Sequence, residues 1–472
     1  MNEIKTDICV IGGGSGGLSL ASGAVQMGAK VVLIEGGKMG GDCLNTGCVP
    51  SKAMIAAAKQ AYMMGQGGPL GIAAVAPKID FAAVKDHVRK TIATIEPNDS
   101  VERFEALGCI VLQDYARFIS PTQVQAGATV VTARRFVIAT GSSPFVPPIP
   151  GLDEVEVLTN ENIFDLRAAP EHLIIIGGGP IGLEMAQAHH RLGVRVTVVE
   201  AATAFGRDDP ELAQIVLDKM RGEGIEILEE TAAERVSKTD TGLIVHTAKG
   251  DIAGSHLLMA VGRKVQLDGL DLEKGGVEYD RRGIKVSAGL RSVTNKRVYA
   301  AGDAAGGLQF THVAGYHAGV IIRPMLFGLP AKARDTHIPH VTYTDPELAH
   351  VGLTEAEARK EFGGNVQVLR WQFDENDRAI AMGSTTGMIK VMVVRGRPVG
   401  ASITGPQAGE LIGLWAMAIA NRLKMTAIAN TVLPYPTLSE VSKRAAGAYF
   451  TPKLFESGTV KRVVGLVQRY LP

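Results

Sequence analysis

The sequence has 472 residues, about three times the ~150 of a typical domain, so we expect two or three domains rather than one compact core. Its 49 Lys and Arg against 48 Asp and Glu give a formal net charge of +1, which excludes the broad positive surface that non-specific nucleic-acid binding requires. A hydrophobic fraction of 46% with 21% charged residues excludes an intrinsically disordered chain.

The apolar stretches and the cysteines indicate the compartment. The longest uninterrupted apolar runs, such as 411–420, are shorter than the about 18 residues that a membrane helix needs. Residues 1–7 lack the apolar core of a signal peptide. Four cysteines are too few for the disulfide framework of a secreted protein of this length. We therefore expect a cytoplasmic protein with no membrane partner and no nucleic-acid partner.

One supersecondary unit occurs twice, at 7–35 and at 173–200. Each copy has a short apolar strand, a glycine-rich turn, a helix pattern and a second strand. In such a turn the first glycine permits the bend, the second lets backbone amides approach a pyrophosphate, and the third lets the helix pack on the strand. The glycines at these three positions are Gly12, Gly14 and Gly17 in the first copy and Gly177, Gly179 and Gly182 in the second.

Both copies place an acidic residue, Glu35 or Glu200, 23 positions after the first glycine. This position ends the second strand, where a carboxylate can accept hydrogen bonds from a ribose diol. Because each copy has its strand, helix and acidic residue in register, the sequence predicts two dinucleotide-binding sites.

Three further segments have the continuous apolar character of buried parallel strands that end at a glycine: 136–141, 257–262 and 298–302. They bring Gly141, Gly262 and Asp303 to the ends of these strands, as further candidates for the nucleotide sites. The proline-rich segment 144–150 suits neither a helix nor a central strand and indicates a domain boundary. We expect one nucleotide domain to be inserted in the other and an α+β domain with antiparallel strands to follow, with the boundaries 1–150 and 280–335, 151–279, and 336–472. In the last domain the pattern predicts a strand over 387–394 and a helix over 408–423.

Two cysteines, Cys43 and Cys48, lie in the segment 40–52 directly after the first unit. Four residues separate them, so their sulfur atoms can meet if the segment turns as a helix does. Cys48 precedes an alanine-rich helix pattern, and unpaired amides at a helix start lower a thiol pKa. The pair is therefore predicted to be redox-active. Iron–sulfur or zinc coordination would need further cysteine or histidine ligands nearby, so we expect no metal site.

At this point the sequence resembles a known family. The segment Gly40–Lys52 between two dinucleotide motifs, together with Ala139–Gly141, Ala301–Asp303 and Tyr343–Glu347, is similar to the flavin-dependent pyridine nucleotide-disulfide oxidoreductases. This family includes dihydrolipoamide dehydrogenase, glutathione reductase and mercuric reductase. The resemblance implies an α/β fold with two Rossmann-like domains, for FAD and for NAD(P)H, and a C-terminal dimerisation domain of a homodimer.

The resemblance also implies roles for individual residues. The first glycine motif with Glu35, Gly141 and Asp303 binds FAD, and the second with Glu200 and Gly262 binds NAD(P)H. Lys52 and Glu184 match an ion pair beside the flavin. Cys48 matches the thiol that contacts the flavin, and Cys43 the thiol that attacks the substrate. His312 and His317 either touch the flavin or pack.

The sequence departs from the disulfide reductases near its C-terminus. They carry His-Pro-Thr followed by a glutamate, whereas this chain has Tyr435 in place of the histidine and Glu440 in the place of the glutamate. A phenol with a pKa of about 10 is a poor base at neutral pH, although it can donate a hydrogen bond. Tyrosine at this place is typical of mercuric reductases. Two of their features, an N-terminal metal-binding domain and a cysteine pair in the tail, have no counterpart in the sequence.

The function expected from these features is a relay from the nicotinamide through the flavin to a Cys43–Cys48 disulfide, and from the dithiol to a metal ion or a small disulfide. The alternatives are a dihydrolipoamide dehydrogenase-like subunit of a larger assembly and a transhydrogenase or diaphorase that uses the flavin alone. The charge of Glu200 disfavours the 2′-phosphate of NADPH, so NADH is the expected donor unless Arg195 or Arg207 offsets that charge.

Overall fold

The computed structural model describes residues 2–471 and contains two parallel sheets followed by an antiparallel one. The first sheet has seven strands, of which five run parallel and two form an antiparallel extension. Side chains of its central strand alternate between two cores, since Ile8 and Val10 face one cluster and Cys9 and Ile11 the other. In order across the sheet the strands are Ile110–Leu112, Val31–Ile34, Asn2–Ile11, Thr129–Ile138, Gln123–Ala126 and Ala116–Ser120, with Val298–Ala300 paired to the end of Thr129–Ile138.

Helices cover the first sheet and extend from it toward the second. Helices Ser15–Gln26 and Thr311–Phe327 pack against each other, so the first glycine motif and a late segment of the chain share one face. The α-helices of this region are Ser15–Gln26, Gly41–Asn45, Cys48–Met64, Phe81–Ile95, Val101–Ala106 and Thr311–Phe327.

The second sheet has five strands, all parallel. Their order is Glu226–Leu228, Arg195–Val199, His172–Ile176, His256–Met259 and Val157–Leu158. Helices Pro180–Arg191 and Pro210–Glu223 pack on this sheet, and a small antiparallel sheet is formed by Ala233–Thr239, Gly242–Thr247 and Gly250–Gly254.

The chain leaves the first sheet after Ile138 and rejoins it at Val298, so the second sheet is inserted between two strands of the first. An antiparallel pair, Ser142–Pro144 with Arg263–Val265, joins the outgoing and returning segments. A short hairpin of Tyr279–Asp280 and Gly283–Ile284 precedes the return. The boundaries at residues 150, 280 and 335 stay a prediction.

The C-terminal region is built on a five-stranded antiparallel sheet. Its strands in order are Pro339–Thr342, Glu347–Gly352, Arg397–Gly405, Met388–Val394 and Val366–Gln372. The helices of this part of the chain are Glu355–Phe362, Asp377–Met382, Ala408–Ala420, Met425–Ala429, Glu440–Ala448, the π-helix Pro452–Glu456 and Gly458–Tyr470. Short 3₁₀ helices elsewhere are Gly68–Leu70, Glu96–Asp99, Leu152–Glu154, Ile163–Asp165, Gly302–Ala305, Gly363–Asn365 and Phe373–Glu375.

The predicted fold class, two Rossmann-like parallel sheets with a C-terminal α+β region, is confirmed. The helix predicted over 408–423 is three residues shorter, because Arg422 adopts a φ of 53° and the Leu423 amide turns back to the carbonyl of Ala418. Within residues 2–471, no helix has the length and apolar character needed to cross a bilayer.

Buried ion pairs hold the C-terminal region against the second sheet. Lys390, only 3% exposed, donates to both carboxylate oxygens of Asp209 at 3.0 and 2.8 Å. Asp209 in turn caps helix Pro210–Glu223 by accepting a hydrogen bond from the backbone amide of Glu211. Since a buried ammonium needs charged partners, this contact is specific and joins the two regions in one orientation.

Candidate active site

The two glycine turns have the same backbone geometry. Gly12 and Gly177 adopt φ angles of +109° and +119°, which L side chains rarely adopt. A β-carbon on either would lie 2.3 or 2.4 Å from a carbonyl oxygen of the neighbouring strand's end. The third glycines are equally constrained, since a β-carbon on Gly17 or Gly182 would lie 1.9 or 2.0 Å from the first glycine's carbonyl oxygen.

The middle glycines face open space instead. A β-carbon on Gly14 would meet only the Cα of Gly41, at 3.8 Å, and one on Gly179 would meet nothing within 4 Å. Helices Ser15–Gln26 and Pro180–Arg191 begin directly after them, so free backbone amides point into these openings. Both turns therefore fit a pyrophosphate, and the residues present suit FAD and NAD(P)H.

The acidic residues at the strand ends are held by backbone amides. Glu35 accepts hydrogen bonds from the amides of Gly13 at 2.5 Å and Gly37 at 2.6 Å. Glu200 accepts from the amides of Gly178 at 2.6 Å and Ala202 at 2.8 Å. Each carboxylate is thus fixed beside its glycine turn, with lone pairs left for a ribose diol.

The two arginines considered for a 2′-phosphate lie in different places. Arg195 begins its strand and pairs with His172, which begins the neighbouring strand. The second glycine turn begins after Ile176, at the other end of the strand that His172 begins. Arg195 is therefore remote from the nucleotide site. Arg207 lies in the loop after Glu200, close in sequence to Ala204 and Phe205, which pack on and bond to Gly178.

The remaining nucleotide candidates lie at the carboxyl ends of parallel strands. Gly141 and Gly262 adopt φ angles of +69° and +138°, with open space where a β-carbon would lie. Asp303 accepts a hydrogen bond from the Ser142 hydroxyl at 2.5 Å, and burial raises the pKa of its carboxyl above the ordinary value. Arg263 donates to the same hydroxyl at 2.7 Å, so this edge of the first sheet is a connected polar network.

Cys43 and Cys48 meet beside the first glycine turn. Cys43 lies in helix Gly41–Asn45, and Cys48 is the first residue of helix Cys48–Met64. The Cys43 thiol donates to the Cys48 sulfur, and this bond, with a second from the Thr311 hydroxyl at 3.3 Å and the charge of Lys52, lowers the pKa of Cys48 to about 6 against the opposing effect of burial. The same bond raises the pKa of Cys43. The arrangement is one thiolate and one thiol that holds its proton.

Several residues that hold this loop were not predicted from the sequence. Asp42 accepts hydrogen bonds from Thr46 at 2.7 Å and from the Asn160 amide at 2.8 Å, and it forms an ion pair with Arg263 at 3.1 Å. Its charge raises the pKa of Cys48 and so opposes Lys52. The position of Asp42 directly before Cys43 could have drawn attention to it. No local pattern indicates that Thr311, 263 residues away, would contact Cys48.

The ion pair implied by the resemblance is present. Lys52 Nζ lies 2.8 Å from Glu184 Oε2, and the Glu184 side chain is 6% exposed. The second carboxylate oxygen accepts the backbone amide of Tyr343 at 2.8 Å, and the Lys52 ammonium lies 4.6 Å from the centre of the Tyr343 ring. This contact joins the helix of the cysteine pair, the helix of the second glycine turn and the C-terminal region.

Tyr435 and Glu440 are not brought together by a hydrogen bond. The Tyr435 side chain is 71% exposed and its hydroxyl donates to Asp377 at 2.9 Å, which raises the pKa of the phenol. Glu440 begins helix Glu440–Ala448 and contributes only a weaker charge effect to that pKa. Asp377 is therefore the carboxylate that orients Tyr435 within this chain, and the sequence analysis did not identify it.

The two histidines next to Thr311 have protein partners. The His312 Nε2 atom lies 2.8 Å from the carbonyl oxygen of Pro339, and its ring stacks on Phe310. His317 is buried and its Nδ1 accepts the backbone amide of Gly302 at 3.2 Å. His317 therefore supports the segment that carries Asp303, whereas His312 contacts the start of the C-terminal sheet at Pro339.

Comparison with known proteins agrees with this geometry. Residues 6–318 match the family described as pyridine nucleotide-disulphide oxidoreductase, and residues 338–446 match its dimerisation domain. The chain belongs to the class I pyridine nucleotide-disulfide oxidoreductases, as its sequence motifs indicated. It is accordingly a flavoprotein disulfide oxidoreductase that uses FAD and NAD(P)H and carries a domain for homodimer formation.

Three individual proteins show which members of the family the chain resembles. The chain is 36% identical over 457 residues to mercuric reductase from Acidithiobacillus ferrooxidans, covering 94% of this chain and 82% of the relative. It is 32% identical over 448 residues to dihydrolipoyl dehydrogenase from Bacillus subtilis, covering 93% and 97%. Among solved structures, the Cu(II) complex of the HOCl-induced flavoprotein disulfide reductase RclA from Escherichia coli superimposes with a TM-score of 0.84 at 27% identity, over 93% of this chain and 99% of that one.

Proposed function

We propose that this enzyme reduces a soft metal ion, Hg(II) in the first instance, at the dithiol formed by Cys43 and Cys48. The observation that carries the proposal is the placement of Cys43 and Cys48 beside the first glycine turn, with Cys48 at the start of its helix and in contact with the Thr311 hydroxyl, an environment that lowers the pKa of Cys48 and raises that of Cys43. Two adjacent sulfur ligands suit a soft metal ion, and thiolate is the form that binds. The similarity to mercuric reductases over 94% of the chain supports the same acceptor.

FAD, when bound at the first glycine turn, would accept a hydride from NAD(P)H and deliver two electrons to the cysteine pair. The residues of the chain would set the distance and the protonation states. Two electrons and one proton convert a Cys43–Cys48 disulfide to the Cys48 thiolate and the Cys43 thiol. Cys48 retains its charge chiefly because of its bond with Cys43, with further contributions from Thr311 and Lys52, while Cys43 keeps the proton until a substrate displaces it.

The overall reaction is balanced without another reactant. Binding of Hg(II) between the Cys48 thiolate and Cys43 displaces the single proton of the Cys43 thiol, and Cys43 regains a proton after Hg(0) leaves. Two electrons from NADH then convert Hg(II) to Hg(0), which leaves, and the products are NAD⁺ and one proton. The 2.8 Å ion pair between Lys52 and Glu184 would hold Lys52 on the flavin side of the cysteine pair. The Tyr343 ring lies against the Lys52 ammonium.

We further propose NADH as the preferred donor. Glu200 is held by two amides beside the second glycine turn, so its charge cannot swing away from an incoming 2′-phosphate without the loss of both bonds. Gly177, Gly179, Gly182 and Gly262 would line the same nucleotide. The FAD site would use Gly12, Gly14, Gly17, Glu35, Lys52, Gly141 and Asp303.

Tyr435 supports a metal ion over a disulfide as the acceptor. Reduction of a disulfide requires a group that protonates the leaving thiolate, and the Asp377-bound phenol with its raised pKa is unsuited to repeated proton exchange near neutral pH. A metal ion has no leaving thiolate to protonate. The one hydroxyl proton of Tyr435 is donated to Asp377, so Tyr435 would take no part in proton transfer, and Glu440 begins the next helix.

A small disulfide is the second candidate, because the dihydrolipoyl dehydrogenase relative aligns with almost the whole chain. A flavin-only transhydrogenase leaves the paired thiols without a purpose. A cytoplasmic homodimer, with the C-terminal domain as the interface, completes the proposal.

The test is a stopped-flow comparison of acceptors. Holoenzyme reduced anaerobically with NADH is mixed in parallel with Hg(II), lipoamide and glutathione disulfide, and reoxidation of the protein is followed. We expect Hg(II) to react fastest, Cys43→Ser and Cys48→Ser to lose that reaction, and Cys109→Ala to retain it as the matched cysteine control. Faster reoxidation by a disulfide would contradict the proposal and would mean that Tyr435 or a water molecule replaces the missing histidine.

A further inference from the structure

The last helix of the described chain, Gly458–Tyr470, packs on none of the three sheets. None of its residues is buried, and it follows the π-helix Pro452–Glu456, which is also without buried residues. Its start is capped by the Ser457 hydroxyl, which accepts the amide of Val460. The match to the family's dimerisation domain ends at residue 446, so this helix lies outside the matched region.

One side of this helix is apolar. At 100° per residue, Val460, Val463, Val464 and Val467 fall on one stripe, and Leu466 and Tyr470 widen it to an arc of about 160°. Val463 and Val464 are each 52% exposed and Leu466 is 58% exposed, although such side chains favour burial. Leu454 and Phe455, just before the helix, are also exposed.

The other side of the helix is basic. Lys461, Arg462 and Arg469 all fall in the remaining arc, and no acidic residue occurs in 457–471. This segment therefore carries a formal charge of +3, whereas the whole chain carries +1 and the rest of it −2. The positive charge is concentrated around one exposed apolar stripe.

We propose that helix Gly458–Tyr470 lies flat on the surface of an anionic lipid bilayer, with its apolar stripe in the acyl boundary and its basic side at the headgroups. A wide apolar arc flanked only by Lys and Arg is the pattern of an interfacial helix. Thirteen residues span about 20 Å, too short to cross the about 30 Å hydrocarbon core. The sequence-based expectation of no membrane partner considered spanning segments alone.

A second copy of the chain fits this helix less well. Two helices that pair along an apolar seam use a narrower stripe, and their flanking positions carry opposite charges. Here both copies would present the same basic residues, Lys461, Arg462 and Arg469, and so repel each other. An anionic bilayer instead complements the charge and the width of the stripe together.

The experiment is co-sedimentation of the FAD-loaded full-length enzyme with phosphatidylcholine vesicles and with vesicles that also contain phosphatidylglycerol. The charge variant is Lys461→Gln/Arg462→Gln/Arg469→Gln, and the stripe variant is Val463→Ser/Val467→Ser. Both sets exchange residues of similar helix propensity, so the helix itself is retained. The matched control is Lys90→Gln/Lys238→Gln/Lys360→Gln, which removes three exposed charges elsewhere.

We expect binding to the anionic vesicles only, reversal by salt, and no effect of the control. The charge variant should weaken binding about a hundredfold, since each basic residue near an anionic surface contributes roughly a factor of five. The stripe variant should weaken it at least tenfold, with NADH oxidation in solution unchanged in both. Absence of wild-type binding to anionic vesicles overturns the proposal. A simultaneous change of oligomeric state in the stripe variant, measured by light scattering, would then assign the stripe to a second copy.

Discussion

The pKa of Cys48 depends most strongly on its bond with Cys43, and replacing Cys43 by alanine tests this. The Cys48 thiol ordinarily titrates at 9.0 and is lowered to about 6, with the Cys43 bond as the largest cause. At pH 7 a thiol with that pKa is about 90% ionised, whereas an unperturbed thiol is about 1% ionised. Cys43→Ala leaves Thr311 and Lys52 in place, so the midpoint should rise by roughly one to two units, and the thiolate fraction at pH 7 should fall to about half or less.

The assay is a pH titration of the ultraviolet thiolate absorbance of the reduced holoenzyme, taken as a difference from Cys48→Ser. Cys9 and Cys109 do not interfere, because burial raises the pKa of both, that of Cys109 to about 11. Cys43→Ser is the matched variant, since its hydroxyl can still donate to Cys48 and should hold the midpoint below that of Cys43→Ala. An unchanged midpoint in Cys43→Ala would refute the reasoning and assign the low pKa to Thr311 and Lys52.

Three further predictions concern the nucleotide and the stability of the fold. Glu200→Ser should shift the ratio of kcat/KM for NADPH over NADH upward at least tenfold, because the fixed carboxylate that repels a 2′-phosphate is removed; steady-state kinetics with both nucleotides decides this, and an unchanged ratio would remove Glu200 as the determinant. Lys390→Met should lower the free energy of unfolding in urea by about 3–5 kcal/mol, because it leaves the buried carboxylate of Asp209 unpaired; a loss well below about 1 kcal/mol would mean that this carboxylate becomes hydrated. Lys85 is fully buried, donates to the Ile163 carbonyl oxygen at 3.0 Å, and has its pKa lowered by burial from 10.5 to about 8. The folded state therefore releases this proton first, so Lys85 should contribute a gain of up to about 3 kcal/mol between about pH 8 and 10.5, measured as the difference in pH dependence between wild type and Lys85→Met in urea unfolding at a series of pH values. The difference removes the opposing effect of the buried thiols of Cys9 and Cys109, and equal pH dependence of the two proteins would contradict the prediction.

The four residues on which these predictions depend, Cys48, Glu200, Lys390 and Lys85, differ in whether they belong to a glycine unit or join separate parts of the chain. Cys48 and Glu200 each follow a glycine turn along the chain and lie beside it in the structure. Lys390 and Lys85 instead form contacts between separate parts of the chain. Lys390 joins the C-terminal sheet to the helix after the second glycine unit. Lys85 joins helix Phe81–Ile95 to the segment around Ile163, between aromatic rings of Phe81 and Phe164.

The sequence by itself determined the two nucleotide turns and the position of the cysteine pair. These features depend on short spacing: a glycine with positive φ after a strand, such as Gly12, and a helix start at Cys48 follow from steric and hydrogen-bonding demands within a few residues. The periodic apolar runs likewise predicted the parallel strands, since strands covered on both faces need continuous apolar residues. The end of the helix predicted over 408–423 was wrong by three residues, because the apolar pattern continues past the turn at Arg422.

Only the tertiary structure decided which side chains surround the cysteine pair. Thr311 reaches Cys48 across 263 positions and Asn160 reaches Asp42 across 118, and elsewhere in the chain Asp377 rather than Glu440 takes the hydroxyl of Tyr435. These contacts depend on how the second sheet and the C-terminal region pack on the first, and no local periodicity encodes that packing. The exposure of helix Gly458–Tyr470 was likewise visible only after folding, because an amphipathic pattern looks the same whether its apolar side meets a core or is left for another surface.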